Sequence, residues 1–380
     1  MKRLIVLAPS LVITYIFVIA AALDKIACAF PEVPESVVQL LSSLPSLLAI
    51  PVILISGFLC SRFTKKTIII VSLLLMTAGG LFPLAFHSAF WMLMAGAVII
   101  GIGYGGLSSL TSALIVEHFE GREQTTLLSF QGTVIGIGGM LFSLLAGRLV
   151  LGEWWHVYFA YLLLLPVLAL SLLLPRGKLA VPGRKRAGTL RTRRMALVLI
   201  QGLLFNLFFF TFQTNIAMLI SRHSIGDAAL ASRALFVHSI MGILSGFAGG
   251  RLLERYRERA LAVFMLIAGG GIFSVYLLPH ASTVYLSAIA VGFTHSLRMS
   301  AGYLKAKAAA SDDASTAAIS LYCAICQAGQ FLSPIVIHWI SGGAGIERRF
   351  LLAGTAMILL SAVSLLLERR PSAETCGRSR

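Results

Sequence analysis

Ionisable residues inside long apolar runs are the first candidates for chemistry in this chain. Asp24 lies near the end of the first run, Arg298 lies within a later one, and His295 precedes Arg298 by three residues, on the same helical face. An ionisable group in such a run is a functional hypothesis by default. Asp24 is a candidate proton site, and Arg298 needs a carboxylate partner, either Asp24 or one on a substrate. The alternatives are that Asp24 marks a helix end, that Arg298 bonds backbone carbonyls, and that His295 is a packing residue.

Three further runs carry polar and aromatic residues at helical spacing. The first stripe is Asn206, Phe210 and Gln213, the second is Tyr104, Ser108 and Thr111, and the third is Gln327, Gln330 and Pro334. Residues three or four apart share one face of a helix. The stripes therefore predict either a mostly neutral pocket for a small molecule or hydrogen bonds between helices. Cys323 and Cys326 lie in the same run as the third stripe, and we interpret them as small packing residues.

The runs themselves have the properties of membrane spans. The chain is 58% hydrophobic and 12% charged, whereas soluble domains carry about 25% charged residues. A continuous apolar run of about 20 residues has the length of a transmembrane helix, and a barrel would need alternating residues. We predict an all-α membrane protein with twelve transmembrane helices. The predicted spans are 4–30, 37–60, 67–86, 90–116, 125–151, 157–174, 195–221, 228–253, 260–278, 284–304, 315–340 and 350–367.

The start of the chain also resembles a secretory signal peptide. We interpret it as a retained first span, because its removal would leave an odd number of spans and break the internal repeat described below.

The distribution of basic residues predicts the orientation. Most of the 31 lysines and arginines fall in loops on one side, which marks that side as cytoplasmic. We therefore expect both termini and the basic linker 175–194 to be cytoplasmic, in a bacterial-type inner membrane. The net charge of +16 then needs no nucleic-acid partner. The linker either contacts anionic lipid headgroups or is a solvated connection.

A basic loop after the second run recurs after the eighth, about half the chain later. The two copies are Gly57-Phe58-Leu59-Cys60-Ser61-Arg62-Phe63-Thr64-Lys65-Lys66 and Gly250-Arg251-Leu252-Leu253-Glu254-Arg255-Tyr256-Arg257-Glu258-Arg259. An internal repeat of this length indicates two related halves. We assign the halves to 1–174 and 195–367, joined by the linker 175–194 and followed by a tail at 368–380.

The duplicated loop, the span count and the basic central linker together resemble the major facilitator superfamily. The resemblance implies two pseudo-symmetric six-helix bundles around a central cavity, which opens alternately to each side and is lined by spans one, four, seven and ten. It implies a gating role for the loop residues Gly57, Arg62, Lys66, Gly250, Glu254, Arg255 and Arg259. Ser61 replaces the family's acidic residue in the first copy, whereas Glu254 keeps an acid in the second. We therefore expect Arg255 to latch the cytoplasmic side more strongly than Arg62.

The function implied is secondary active transport of a small organic solute by alternating access. The context of Asp24 resembles the first span of drug transporters, which favours proton coupling and efflux. Two antiporter signals are missing, since Ala97 stands in place of an arginine and Phe142-Ser143 in place of Gly-Pro. The alternatives are uptake or uniport of an organic anion bound by Arg298, or a membrane-embedded sensor or enzyme built on the same bundle.

We expect no enzymatic activity, cofactor or metal, and a monomer whose partners are its substrate, protons and lipid. The charge of the substrate depends on whether Asp24 and Arg298 meet. A pair would leave a neutral cavity suited to neutral or zwitterionic solutes, and an unpaired Arg298 would favour an anion. We slightly favour the pair, because an unpaired buried guanidinium is costly.

Overall fold

The protein is a bundle of long helices. The computed structural model describes residues 2–119, 121–175, 192–256, 259–310, 315–342 and 345–368. Its helices in the first half of the chain are α1 (Lys2–Leu7), α2 (Ile16–Ala20), α3 (Leu23–Ala29), α4 (Glu35–Arg62), α5 (Lys65–Ala85), α6 (Phe90–His118), α7 (Gly121–Leu149) and α8 (Leu164–Leu172). Those in the second half are α9 (Thr192–Phe209), α10 (Thr211–Arg222), α11 (Ala228–Tyr256), α12 (Ala260–Leu277), α13 (Ala281–Ala308), α14 (Ser315–Ile340) and α15 (Ile346–Glu368).

Most of the long helices are apolar enough to cross a bilayer. Within the described residues, eleven segments qualify by length and composition, against the twelve that the sequence predicted. The missing one is α13, which has 28 residues but carries the polar face that includes His295 and Arg298. Most of the linker 175–194 and almost all of the tail 368–380 lie outside the described residues, so these domain boundaries stay predictions.

The first predicted span, 4–30, is confirmed as a span only over Arg3–Ala20, and it is not one continuous helix. Short helices α1, α2 and α3 are separated by a 3-10 segment, Ala8–Val12, and by turns. Pro9 stands at the start of the 3-10 segment, where its missing N–H removes a helical hydrogen bond. Farther along, the Thr14 hydroxyl donates to the carbonyl of Ile135 in α7 at 3.1 Å, which ties the broken segment to its neighbour.

The seventh predicted span is also interrupted, at Phe210 between α9 and α10. Polar side chains surround the break and bond back to the helix: the Thr214 hydroxyl donates to the Phe210 carbonyl at 2.9 Å, and the Asn215 amide to the Thr211 carbonyl at 3.1 Å. Such bonds compete with the helical ladder and often bend a helix. The interruption places Phe210 and its neighbours beside the centre of the molecule.

Glycines in α6 allow two helices to pack closely on opposite faces. A Cβ at Gly101 would lie 2.7 Å from the backbone of Pro45 in α4, and one at Gly103 would lie 2.8 Å from Met76 in α5. Neither position has room for a larger side chain. Gly101 and Gly103 therefore serve the packing of α6 against α4 and α5.

Candidate functional site

A cavity of about 280 Å³ lies between the two halves of the chain. The first half contributes the segment around α2 together with α6 and α7, and the second half contributes α9, α10, α13 and α14. This size is close to the lower end for pockets that bind small organic molecules.

The spacing between α7 and α11 shows which end of the cavity is open. We call the end that carries Arg62, Lys65 and Arg255 the basic end. At the end opposite the basic end, a Cβ on Gly147 in α7 would lie 2.6 Å from the Cβ of Ser232 in α11. Towards the basic end, Gly132 has nothing within 4 Å of such a Cβ, and Gly246 has only the Thr133 hydroxyl at 3.9 Å. The two halves therefore meet at the opposite end and separate towards the basic end.

Polar contacts between the halves close the opposite end. The Gln39 amide donates to the Asn215 side-chain oxygen at 2.9 Å. The Arg349 guanidinium donates to the same oxygen at 2.9 Å and to the Glu35 carboxylate at 3.3 Å, and Arg222 also reaches Glu35 at 3.3 Å. We call Gln39, Asn215, Glu35, Arg349 and Arg222 the outer cluster.

The Arg298 side chain is buried, with 3% of its surface exposed, and it lines the cavity. It donates a hydrogen bond to the Asn206 side-chain oxygen. Its guanidinium carbon lies 4.3 Å from the ring centre of Phe209 and 5.5 Å from that of Phe210, within the range of cation–π attraction. Among the described residues no carboxylate contacts Arg298, and its Nε atom is buried without a hydrogen-bond partner.

Most of the predicted substrate and proton candidates meet at this cavity. Besides Arg298, the predicted residues that line it are His295, Asn206, Phe210, Gln213, Tyr104, Gln327 and Gln330. Gln213 is fully buried, and both polar atoms of its amide lack a partner within the described part of the chain. The arrangement offers a guanidinium, amides and aromatic rings to a ligand.

Asp24 is the exception. It lies in α3, just beyond the candidate span Arg3–Ala20, and it does not line the cavity. Partial burial raises the pKa of its carboxyl group above the usual range, and the nearby Ser221 side chain and Arg222 of the outer cluster oppose that rise. The expected Asp24–Arg298 pair is therefore wrong for this conformation. Asp24 lies at the end that the outer cluster closes, whereas Arg298 lies at the central cavity.

A hydrogen-bonded wall in the first half was not predicted. The Gln131 amide nitrogen donates to Ser10 and Thr111 at 3.0 Å each, and its oxygen accepts from Ser112 at 2.8 Å. This wall faces the cavity from α7 and contains no charged group. Thr111 belongs to the second predicted stripe. The sequence signal for Gln131 itself was a glutamine within an apolar run, in a span that the family resemblance does not place at the cavity.

The loop-motif residues lie at the open, basic end. Arg62 is exposed and stacks over Phe58 at 5.6 Å, and the Lys66 ammonium donates to the Leu172 carbonyl at 2.6 Å. Arg255 and Arg259 are exposed. Gly57, Gly250 and Glu254 lie within α4 and α11, but the surroundings of these three lie outside the described residues, so the motif's latch stays a prediction.

The fold and the cavity define a membrane transporter with two halves around a central site. The sequence profile of the Major Facilitator Superfamily matches residues 4–286, and the chain belongs to that superfamily. It is therefore a secondary transporter and not an enzyme.

Solved structures of transporters share this fold. A peptide transporter POT in complex with sulfate superposes with a TM-score of 0.78 at 14% identity, over 97% of this chain and 94% of that chain. A bacterial homolog of the human lysosomal transporter Spinster, in an inward-facing, unoccupied conformation, gives 0.73 at 16% identity, over 98% and 99%. The human organic anion transporter MFSD10 gives 0.70 at 13% identity, over 96% and 98%.

Proposed function

We propose that this protein transports a small organic anion, whose acidic group binds Arg298 in the central cavity. The observation that carries the proposal is a buried guanidinium that faces a cavity and has no carboxylate partner among the described residues. A charge removed from water is costly unless it is paired. An anionic substrate provides that partner, so the substrate itself completes the site.

The surroundings of Arg298 favour an acid with an apolar or aromatic body. One guanidinium nitrogen of Arg298 donates to Asn206, and the rings of Phe209 and Phe210 lie beside the guanidinium. The guanidinium presents several donors in a fixed plane, which matches a carboxylate in a two-point contact. The hydrogen-bonded wall around Gln131 is uncharged, and it suits a hydroxyl or carbonyl group at the other end of the substrate.

Two structural relatives agree with this chemistry without establishing it. MFSD10 is a human organic anion transporter, and the structure of the peptide transporter POT contains sulfate. At 13–14% identity they share the fold alone. Their support is that this fold accommodates anions, whereas the argument for an anion here rests on Arg298.

We further propose that transport is proton-coupled, in an inner membrane with the basic end in the cytoplasm. The context of Asp24 favours efflux, whereas an anion that binds Arg298 together with a proton would be taken up when the proton gradient is directed inwards. The support for coupling and efflux is the sequence context of Asp24, and the support for orientation is the distribution of basic residues. If Asp24 carries a transported proton, Asp24→Asn abolishes pH-driven transport in proteoliposomes and leaves substrate exchange largely intact. Wild-type behaviour in both assays would return Asp24 to a helix-end role.

The anion proposal is tested by a thermal-shift screen of purified protein against acids and their size-matched neutral amides, such as benzoate and benzamide. We expect acids to stabilise the wild type, amides to have little effect, and Arg298→Gln to abolish the difference. Arg233→Gln is the matched control, because Arg233 is an exposed arginine outside the cavity. Equal stabilisation by acids and amides, or an undiminished acid effect in Arg298→Gln, would contradict the proposal.

A further inference from the structure

Two histidines from neighbouring helices of the second half meet beside the cavity. His238 in α11 and His295 in α13 have ring centres 5.2 Å apart, with the rings nearly perpendicular. His238 is buried, and His295 lines the cavity. Gly292 brings the helices together, since a Cβ there would collide with the His238 backbone. We call these two side chains the histidine pair.

The ring nitrogens of the histidine pair are largely unused by the protein. Both nitrogens of His238 and Nδ1 of His295 are buried without a hydrogen-bond partner among the described residues. Their neighbours are the aromatic rings of Phe17, Phe209 and Phe212, with centres at 5.3 to 6.5 Å. Leaving a buried polar atom without a hydrogen bond destabilises the fold, so packing alone does not explain two imidazoles here.

Arg298 is the charged group that acts on the histidine pair. It lies three residues after His295 on α13, and the Phe209 ring contacts both, 4.3 Å from the guanidinium and 5.5 Å from the His295 ring. The described elements around the pair contribute no carboxylate to the cavity. The other titratable groups at the cavity are Tyr15 before α2, Tyr104 on α6, Tyr303 on α13, and Cys323 and Cys326 on α14, and all are neutral at ordinary pH.

This arrangement links proton binding to anion binding. While no anion is bound, the positive charge of Arg298 and the burial of the two rings oppose a second positive charge on either imidazole. A carboxylate bound to Arg298 compensates that charge and lies beside His295, which removes the repulsion and adds an attraction. By reciprocity, a proton on the pair strengthens the binding of the anion by the same factor.

We propose that the histidine pair is a proton-binding site that fills when an anion binds to Arg298, so that anion and proton occupy the cavity together. This inference rests on the proposed function for the charge of the substrate. It places a coupled proton at the cavity, in addition to any role of Asp24 at the opposite end. One carboxylate and one proton entering together change the net charge of the site by zero.

The first experiment measures proton uptake when sodium benzoate is added to the purified, weakly buffered protein near pH 7, with a pH indicator as readout. We expect uptake of a substantial fraction of one proton per bound benzoate. His295→Gln and His238→Gln should each reduce it by at least about half. His118→Gln and Asp24→Asn should leave it unchanged, since neither residue lines the cavity. Benzoate binding without proton uptake, or with full uptake in both histidine-pair variants, would overturn the inference.

The second experiment needs no ligand and separates this inference from the proposed function. Nitrogen NMR of protein labelled in histidine, with signals assigned from the two Gln variants, reports the charge of each ring at pH 6. Arg298→Gln imitates a neutralised arginine, so we expect more imidazolium than in the wild type, whereas Arg298→Lys keeps the charge and should match the wild type. If benzoate fails to bind but this shift occurs, the substrate proposal loses support and the coupling stands. If the rings respond equally to both substitutions, the coupling is wrong.

Discussion

Two buried arginines in the second half of the chain have opposite surroundings. Arg298 and Arg349 are 3% and 2% exposed, so both have lost nearly all contact with solvent. Arg349 reaches across to the first half, where it contacts the Glu35 carboxylate, and it also donates to Asn215. Arg298 contacts an amide and aromatic rings of its own half and faces the cavity.

The difference assigns the two arginines to different tasks. A buried charge that is paired across an interface holds that interface together, because separating it leaves both partners uncompensated. A buried charge that has no carboxylate partner among the described residues and lies beside a cavity is instead suited to a ligand. We therefore expect Arg349 to stabilise the conformation closed at the outer cluster, and Arg298 to be available in that conformation for the proposed anionic substrate.

The largest contrast is expected in stability without substrate. Arg349→Met leaves Glu35 with Arg222 alone, and breaking a buried pair costs about 3 kcal/mol, so its thermal midpoint should fall clearly. Arg298→Met removes an unpaired buried charge and should match or exceed the wild type. Thermal unfolding in one detergent measures both. An Arg298→Met protein less stable than Arg349→Met would break the comparison.

The second contrast concerns the contact between α7 and α11. Gly147→Ala forces a Cβ against Ser232 where the halves meet, and such overpacking costs about 1–3 kcal/mol, so the outer end should open. Gly132→Ala on the same helix has free space at the basic end in this conformation. We expect thermal unfolding to separate the two variants, with only Gly147→Ala destabilised. Equal unfolding midpoints for Gly147→Ala and Gly132→Ala would contradict the difference in packing between the outer and basic ends.

The third prediction concerns the contact that Arg349 makes with Glu35 between the two halves. Spin labels at the exposed positions of Glu32 and Asp227, in a cysteine-free background, report the distance between the halves at this end. Arg349→Gln should increase the population of long distances by about 5- to 30-fold, equivalent to about 1–2 kcal/mol. The control is Arg348→Gln, because Arg348 is exposed. A shift of the same size in the control would remove Arg349 from its proposed role.

The smallest effect is expected at the loop motif, where Arg62 and Arg255 are both exposed in this conformation. They should matter only in the state closed at the basic end, by about 1 kcal/mol or less for exposed charges. Arg255→Ala should raise the accessibility of cysteines engineered in α6 and α13 from the basic end more than Arg62→Ala does. Equal or reversed effects would contradict the asymmetry expected from Ser61 and Glu254.

Helical spacing was enough to predict much of the cavity. A polar residue in an apolar span usually faces the protein interior, because contact with lipid is costly. Asn206, Gln213 and Gln327 could therefore be selected from the sequence. That such residues from different spans would line one central cavity was an implication of the family resemblance. The interruption at Phe210 was not predictable from hydropathy, because it depends on side chains that bond back to their own helix.

The outer cluster and the wall around Gln131 could not be predicted in the same way. Arg349 directly precedes the predicted span 350–367, and a charge next to the end of a span usually remains in water. Its burial depends on Glu35, more than 300 residues earlier in the chain, and sequence spacing does not report such proximity. The expected Asp24–Arg298 pair was wrong for the same reason, since depth in the membrane cannot be read accurately for a broken first span.

The most direct test of the anion site is the binding affinity of the best acid from the screen for four proteins, measured by calorimetry at constant pH. These are the wild type, Arg298→Gln, Arg298→Lys and Arg349→Gln. Loss of one partner of a buried charge pair should weaken binding about 100-fold in Arg298→Gln, less in Arg298→Lys, and about threefold or less in Arg349→Gln. Wild-type affinity in Arg298→Gln, or equal losses in the two Gln variants, would contradict a substrate anion bound by Arg298.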